Sequence, residues 1–196
     1  MQRKLLAATV AAGPLLALAF AGLPVSALAQ TISTATTAQV ATGTANADIV
    51  VTADGSITPT VAGAIVTLNS NNSVTISGPL STKNISGVTG VLAVGGNTGN
   101  INIGNAISMV SDYTATDTDN DGDADGPAAD GANRFGLRIV GPAPFTGNIS
   151  IIPGGQLNAV GADSAGASIE TRLNGSFSIA GAATVVGDRV YGVRAT

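Results

Sequence analysis

The stretch Gly90-Val91-Leu92-Ala93-Val94-Gly95-Gly96-Asn97-Thr98-Gly99-Asn100-Ile101-Asn102-Ile103-Gly104 holds two short alternating runs separated by turn-forming residues. Apolar residues two apart, at Val91 and Ala93 and again at Ile101 and Ile103, turn one side of an extended chain toward a core. Gly95-Gly96-Asn97 between them suits a turn. The same arrangement recurs along the chain when it is aligned on Gly63, Gly90, Gly136, Gly166 and Gly192, at intervals of 27, 46, 30 and 26 residues. One position after each glycine stand Ala64, Val91, Leu137, Ala167 and Val193, and three positions after it stand Val66, Ala93, Ile139, Ile169 and Ala195. All ten are apolar, while the residues between them are mixed.

A second strand follows in each repeat: Val74-Thr75-Ile76, Ile101-Asn102-Ile103, Ile149-Ser150-Ile151 and Phe177-Ser178-Ile179. A weaker third element lies near Leu80, Ile107, Leu157 and Val185. Two or three short strands per repeat of about twenty-seven residues predict an all-β parallel β-helix, a solenoid in which each coil buries its inward face only by stacking on the next. Five coils at the usual inter-strand spacing of roughly 4.8 Å make a rod near 25 Å long. An antiparallel sandwich also uses short alternating strands, but it requires no position-by-position recurrence. The expected domain of repeats is 49–196, interrupted by an acidic insertion over 112–133 that accounts for the interval of 46.

Composition removes several kinds of chemistry. The chain has no Cys, His or Trp, so it offers no thiolate or imidazole for a metal and no Ser-His-Asp triad. Residues 1–29 carry Arg3 and Lys4, an uncharged stretch from Leu5 to Leu23, and the sequence Ala27-Leu28-Ala29 before Gln30. These are the three parts of a secretory signal peptide, with Ala27 and Ala29 as the small residues read at a cleavage site before Gln30. Residues 30–48, rich in Thr and Ala, read as a linker. Removing Arg3 and Lys4 leaves 6 basic against 12 acidic residues, seven of the acids between Asp112 and Asp130. No basic stripe exists, which argues against nucleic acid as a partner.

The insertion contains Asp117-x-Asp119-x-Asp121-Gly122-x-x-Asp125, with Asp123 between, an alternation of carboxylates around a glycine turn. Ca²⁺ takes six to eight oxygens and is served by such spacing, so Asp117, Asp119, Asp121, Asp123 and Asp125 are the candidate calcium ligands. The spacing is similar to loops of the thrombospondin type 3 and dockerin kinds. Ala128 occupies the place where an EF-hand has its bidentate Glu, and no helical pattern flanks the loop. Catalytic patterns are weaker. Ala162-Asp163-Ser164-Ala165-Gly166 approaches a nucleophile elbow but has no His base. Asp48, Asp54, Asp163, Glu170 and Asp188 are scattered, whereas a sugar-cleaving β-helix needs paired acids. Glu170 and Arg172 read as an outward polar face, and no catalytic residue is expected.

The leader, the Thr/Ala segment, coils such as Gly90–Gly104, and the acidic stretch followed by Arg134-Phe135-Gly136-Leu137-Arg138 resemble the start of the passenger region of bacterial autotransporters. That resemblance implies export, passage through a C-terminal outer-membrane β-barrel, and display at the cell surface as a non-enzymatic, adhesive β-helix. Its partner would be a surface ligand or a host or matrix component. A barrel needs eight or more amphipathic strands with aromatic girdles. The segment after Ala29 has two Tyr and three Phe, so the chain reads as a passenger truncated before its barrel. Such a piece would be secreted, surface-bound or periplasmic, and its open last coil would favour self-association. A small secreted carbohydrate-active β-helix enzyme is the alternative.

Overall fold

The computed structural model describes residues 28–196. Three six-stranded sheets, every pairing parallel, run side by side along the molecule. The first comprises Gln30–Ile32, Ile49–Val51, Val74–Ile76, Ile101–Ile103, Ile149–Ile151 and Phe177–Ile179. The second comprises Ala35–Thr36, Ser56–Ile57, Leu80–Lys83, Ala106–Val110, Gln156–Val160 and Ala182–Val186. The third comprises Val40–Ala41, Gly63–Leu68, Val88–Val94, Phe135–Val140, Ala165–Ile169 and Tyr191–Ala195. The chain visits the sheets in that order once per coil, which is the parallel β-helix expected from the repeat.

Among the described residues there are six coils, one more than the repeat predicts. The extra coil comes from residues 30–48, which the sequence presents as a linker. Gln30, Thr31 and Ile32 pair with Ile49, Val50 and Val51, Thr36 pairs with Ile57, and Val40 pairs with Val66. Strands of two or three residues are too short to display an alternation, so the Thr/Ala composition conceals them. Thr42 is fully buried, and its Oγ1 accepts hydrogen bonds from the Asn69 amide (3.1 Å) and the Ser70 hydroxyl (2.8 Å). The helix described, Thr42–Ala45, is four residues long. Residues 1–27 of the expected signal peptide, Ala27 included, lie outside the described residues; Ala29 immediately precedes the first strand.

The second-strand triplets stack as aligned, with Ile101 over Val74 and under Ile149, and Ile149 under Phe177. In the third sheet Val91, Leu137, Ala167 and Val193 share one column, as the glycine alignment requires. Gly63 falls outside it. Val66, rather than Ala64, pairs with Val91, a displacement of two residues. A slip of two keeps every side chain on its own face, so period-two patterning cannot detect it. Gly63 instead starts its strand at φ +114°, donating its amide to Gly87 (3.0 Å). The glycines that do stack are held by close approach: a Cβ on Gly136 would lie 2.7 Å from the Gly166 carbonyl oxygen. The second sheet contains the same kind of slip, because Leu157 pairs with Ala183 while Val185 pairs with Ala159.

The interior is a set of aliphatic columns. Ile32, Val51, Ile76, Ile103, Ile151 and Ile179 form one of them. Its four middle members are at most 1% exposed, whereas Ile179 on the last coil is 37% exposed. At the corner between the third and first sheets, a polar ladder runs along the rod. The Asp48 carboxylate accepts the Ser73 amide (2.8 Å), Ser73 Oγ accepts that of Asn100 (3.1 Å), Asn100 Oδ1 that of Asn148 (2.9 Å), and Asn148 Oδ1 that of Ser176 (3.0 Å). Turn amides that would otherwise lack partners are thereby satisfied by the coil before. Residues between Val110 and Phe135 leave the rod from the second sheet and return at the third.

Truncating Ile103 to Ala in mid-column should lower unfolding free energy by about 2–5 kcal/mol. The same truncation at half-exposed Val193 should cost no more than about 0.5 kcal/mol. Denaturant titration of the two variants beside the parent checks both.

Candidate functional site

The acidic insertion folds back on itself. Asp125 pairs antiparallel with Thr116, donating its amide to the Thr116 carbonyl (2.8 Å). Asp117 Oδ2 accepts the Gly122 amide (3.1 Å), and Asn120 and Gly122 take the positive φ values, +59° and +99°, that the reversal requires. Of the five predicted ligands, Asp117, Asp119 and Asp125 come together, with carboxylate oxygens within 4.8 Å of one another. Asp121 and Asp123 are not part of that group. Asp119 Oδ1 accepts the Asp121 amide (3.3 Å) and Asp121 Oδ1 accepts that of Asp123 (3.1 Å), so both acids shape the turn. Asp125 Oδ2 accepts the Thr118 amide (2.6 Å) and the Thr118 hydroxyl, which holds its carboxyl below the usual range.

Asp117, Asp119 and Asp125 are the residues that could hold a divalent cation. Three carboxylates supply part of the six to eight oxygens that Ca²⁺ takes, leaving the rest to backbone carbonyls and water. Asp130, the one later acid in the insertion, accepts the Gly131 amide next to it (2.7 Å).

What attaches the insertion to the rod is a residue the sequence reading did not single out. Arg134 is 1% exposed. Its guanidinium donates to the carbonyls of Ile85 (2.8 Å), Asp130 (2.7 Å) and Val160, tying the neighbouring coils and the end of the loop together. Burial lowers its pKa, opposed by the nearby Asp130 charge. The Arg134 amide bonds Ser164 Oγ (3.0 Å), which in turn donates to the Ala162 carbonyl (3.0 Å). Ser164, the residue of the near-elbow motif, is therefore a buried structural hydroxyl. The start of the insertion is held at the surface by Lys83 and Asp112 (2.6 Å), with Asn84 exchanging bonds with Asp112 on both its backbone and side chain.

A second constellation lies on the outer face of the third sheet. Arg138, Ser168 and Arg194 share a column in three successive coils. Arg138 binds Glu170 in bidentate fashion, both contacts at 2.8 Å, and Arg194 reaches the same carboxylate at 3.1 Å and Ser168 Oγ at 2.8 Å. The paired Arg138, with Ser168 and Arg194 assisting, pulls the Glu170 carboxyl from 4.5 to about 2. The Arg138 guanidinium also lies 4.6 Å from the ring centroid of buried Phe135. The expected Glu170–Arg172 polar face is thus a Glu170 pairing with the coils on either side. Sequence spacing could have found it only with the register already in hand.

Of the other scattered acids, Asp163 pairs with Arg189 of the next coil at 2.5 Å and Asp48 belongs to the corner ladder. A shallow depression on the first two coils, lined by Gln30, Gln39, Val40, Thr44 and Thr67, presents amides, hydroxyls and aliphatic groups.

Three outcomes check this description. Arg134→Met, which leaves buried carbonyls without a donor, should cost on the order of 3 kcal/mol and speed protease cutting of the insertion; Arg134→Lys should recover only part. Because the folded pKa of Glu170 is depressed, its ion pairing stabilises the rod above pH 4.5 and is lost as pH falls toward about 2. Melting curves of the parent and Glu170→Gln should therefore differ most near neutrality and converge in acid. For the loop, a bound cation would make millimolar Ca²⁺ slow cutting between Thr114 and Ala129, an effect removed by Asp119→Asn. Superimposable digests would leave the turn to its own amides.

No protein-family model matches the chain, and neither does any curated protein or solved structure.

Proposed function

We propose that this chain is an exported rod with a structural and adhesive role, the passenger part of an autotransporter-like surface protein, and that it is not an enzyme. The observation that carries this reading is the use made of polar and charged side chains. Glu170, Asp163, Asp112 and Asp48 each bind a group one coil away, Ser164 is buried in a backbone network, and the corner ladder spends its Asn and Ser side chains on turn amides. These side chains hold neighbouring coils or turns together. Recognition on such a scaffold falls to outward faces and to the acidic insertion, the customary place for decoration on a solenoid.

The position of the first strand supports the export reading. Gln30 begins the first coil, so cleavage after Ala29 removes the charged and apolar leader and leaves every described strand intact. Expression of the full chain in a Gram-negative host, followed by fractionation and N-terminal sequencing, should give an exported species that starts at Gln30. An uncleaved chain confined to the cytoplasm would overturn export. The purified rod should release no reducing sugar from neutral or uronate polysaccharides; steady release at any pH would favour the carbohydrate-active alternative. Immobilised rod should retain host cells or matrix above a blank surface, and the absence of retention would remove the adhesive role.

A further inference from the structure

We infer that residues 111–130 are a self-contained module spliced into a single Val–Gly junction, and that the rod closes and folds without them. The corner between the second and third sheets carries the argument. Met109 pairs with Ala159 and Val160 pairs with Val186, so Val110, Val160 and Val186 end their strands at one level. On the far side of the corner, Phe135, Ala165 and Tyr191 share a column. Ala165 comes five residues after Val160 and Tyr191 five after Val186, whereas Phe135 comes twenty-five after Val110. The fourth coil therefore holds an excess of twenty residues at this corner.

The backbone locates the excess. Val160 is followed by Gly161, Ala162 and Asp163, and Val186 by Gly187, Asp188 and Arg189. Gly131, Ala132 and Asn133 repeat that turn without a valine before them. Gly131, Gly161 and Gly187 have φ of +75°, +147° and +140°, and Asn133, Asp163 and Arg189 are left-handed at +57°, +53° and +54°. The turns also stack. Ala132 bridges Ala162, whose amide donates to the Gly131 carbonyl (2.9 Å), and a Cβ on Gly161 would lie 3.0 Å from that carbonyl oxygen. The fourth coil is thus the same turn cut open between Val110 and Gly131, which sets the module at 111–130 where composition sets it at 112–133. The cut ends each lie one coil below residues that are joined to one another, Val160 and Gly161. Closing the chain there puts the Val110 carbonyl directly before Gly131, the place from which Asp130 now serves Arg134 (2.7 Å). Glycine at 131 accepts the change of φ toward the values of its neighbours. Residues 113–128 keep their hydrogen bonds to themselves and Ser111, among them Tyr113 to Ser111, Thr118 to Asp125 and Gly122 to Asp117. The bonds to the rod are at the two ends, from Lys83 and Asn84 to Asp112 and from Arg134 to Asp130. An ion pair as exposed as Lys83–Asp112 contributes little. Coil stacking therefore places no demand on the sequence of the module, which is free to serve presentation alone.

The inference uses neither the export nor the adhesive reading, and thermal melting followed by circular dichroism tests it on the full chain. Removal of residues 111–130, joining Val110 to Gly131, should leave the β signal intact and the midpoint within about 4 °C of the parent. Removal of residues 111–131, one residue more, joins Val110 to Ala132 and puts the third sheet out of phase with its neighbours. That variant should melt at least about 10 °C lower or fail to fold. A third variant, with 113–128 replaced by a Gly/Ser run of equal length, keeps both ends and should melt with the parent. Loss of the β signal or a fall of about 10 °C in the first variant overturns the closure at Val110–Gly131. Equal stability of the two deletions overturns the assigned junction, and a comparable fall in the Gly/Ser variant overturns the independence of the module.

Discussion

Parallel strands about 4.8 Å apart require each inward side chain to lie directly on its counterpart one coil away, and the rest of the molecule follows from that constraint. A column such as Val51, Ile76, Ile103 and Ile151 is at once the core and the determinant of register. Misplacing one member by a single residue would turn its whole strand toward solvent. Within the third sheet the same rule is enforced sterically, because stacked Gly136 and Gly166 approach the next backbone too closely for a Cβ. On the outside, like charges would lie over one another at the same spacing, so low charge and alternating Arg138, Ser168 and Arg194 suit the arrangement.

This constraint also accounts for what could be read from the sequence. The triplets from Val74–Ile76 to Phe177–Ile179 were legible because both flanking residues are large and the strands are bounded by turns. Slips of two residues at Gly63 and at Val185 were not, since they preserve the alternation that serves as the signal. The first coil was hidden by brevity: Ala35–Thr36 and Val40–Ala41 carry too few residues to show a period. Its stabilising elements, buried Thr42 among them, are polar groups whose value appears only when Asn69 and Ser70 stand opposite.

The candidate site divides along the same line. The Asp alternation correctly marked a tight carboxylate-rich turn, but which acids converge depends on how the chain reverses at Asn120 and Gly122, and only Asp117, Asp119 and Asp125 do. Arg134 follows the acidic run, but its role is not written there. Its three acceptors are backbone carbonyls drawn from residues 85, 130 and 160, brought together by stacking. A solenoid tolerates an insertion of this size because the flanking coils keep their own register, provided that the two ends are pinned, as Lys83–Asp112 and Arg134 pin them.

Native-state hydrogen exchange resolved by peptide tests the central claim, a continuous stack of six coils that begins at Gln30, most directly. Local stability should be highest in coils with neighbours on both sides. The account predicts strong protection across 74–110 and 135–160, intermediate protection in 30–41 and 177–195, and rapid exchange confined to 114–129. Exchange in 30–41 as fast as in the acidic loop would return that segment to a linker and contradict the six-coil stack.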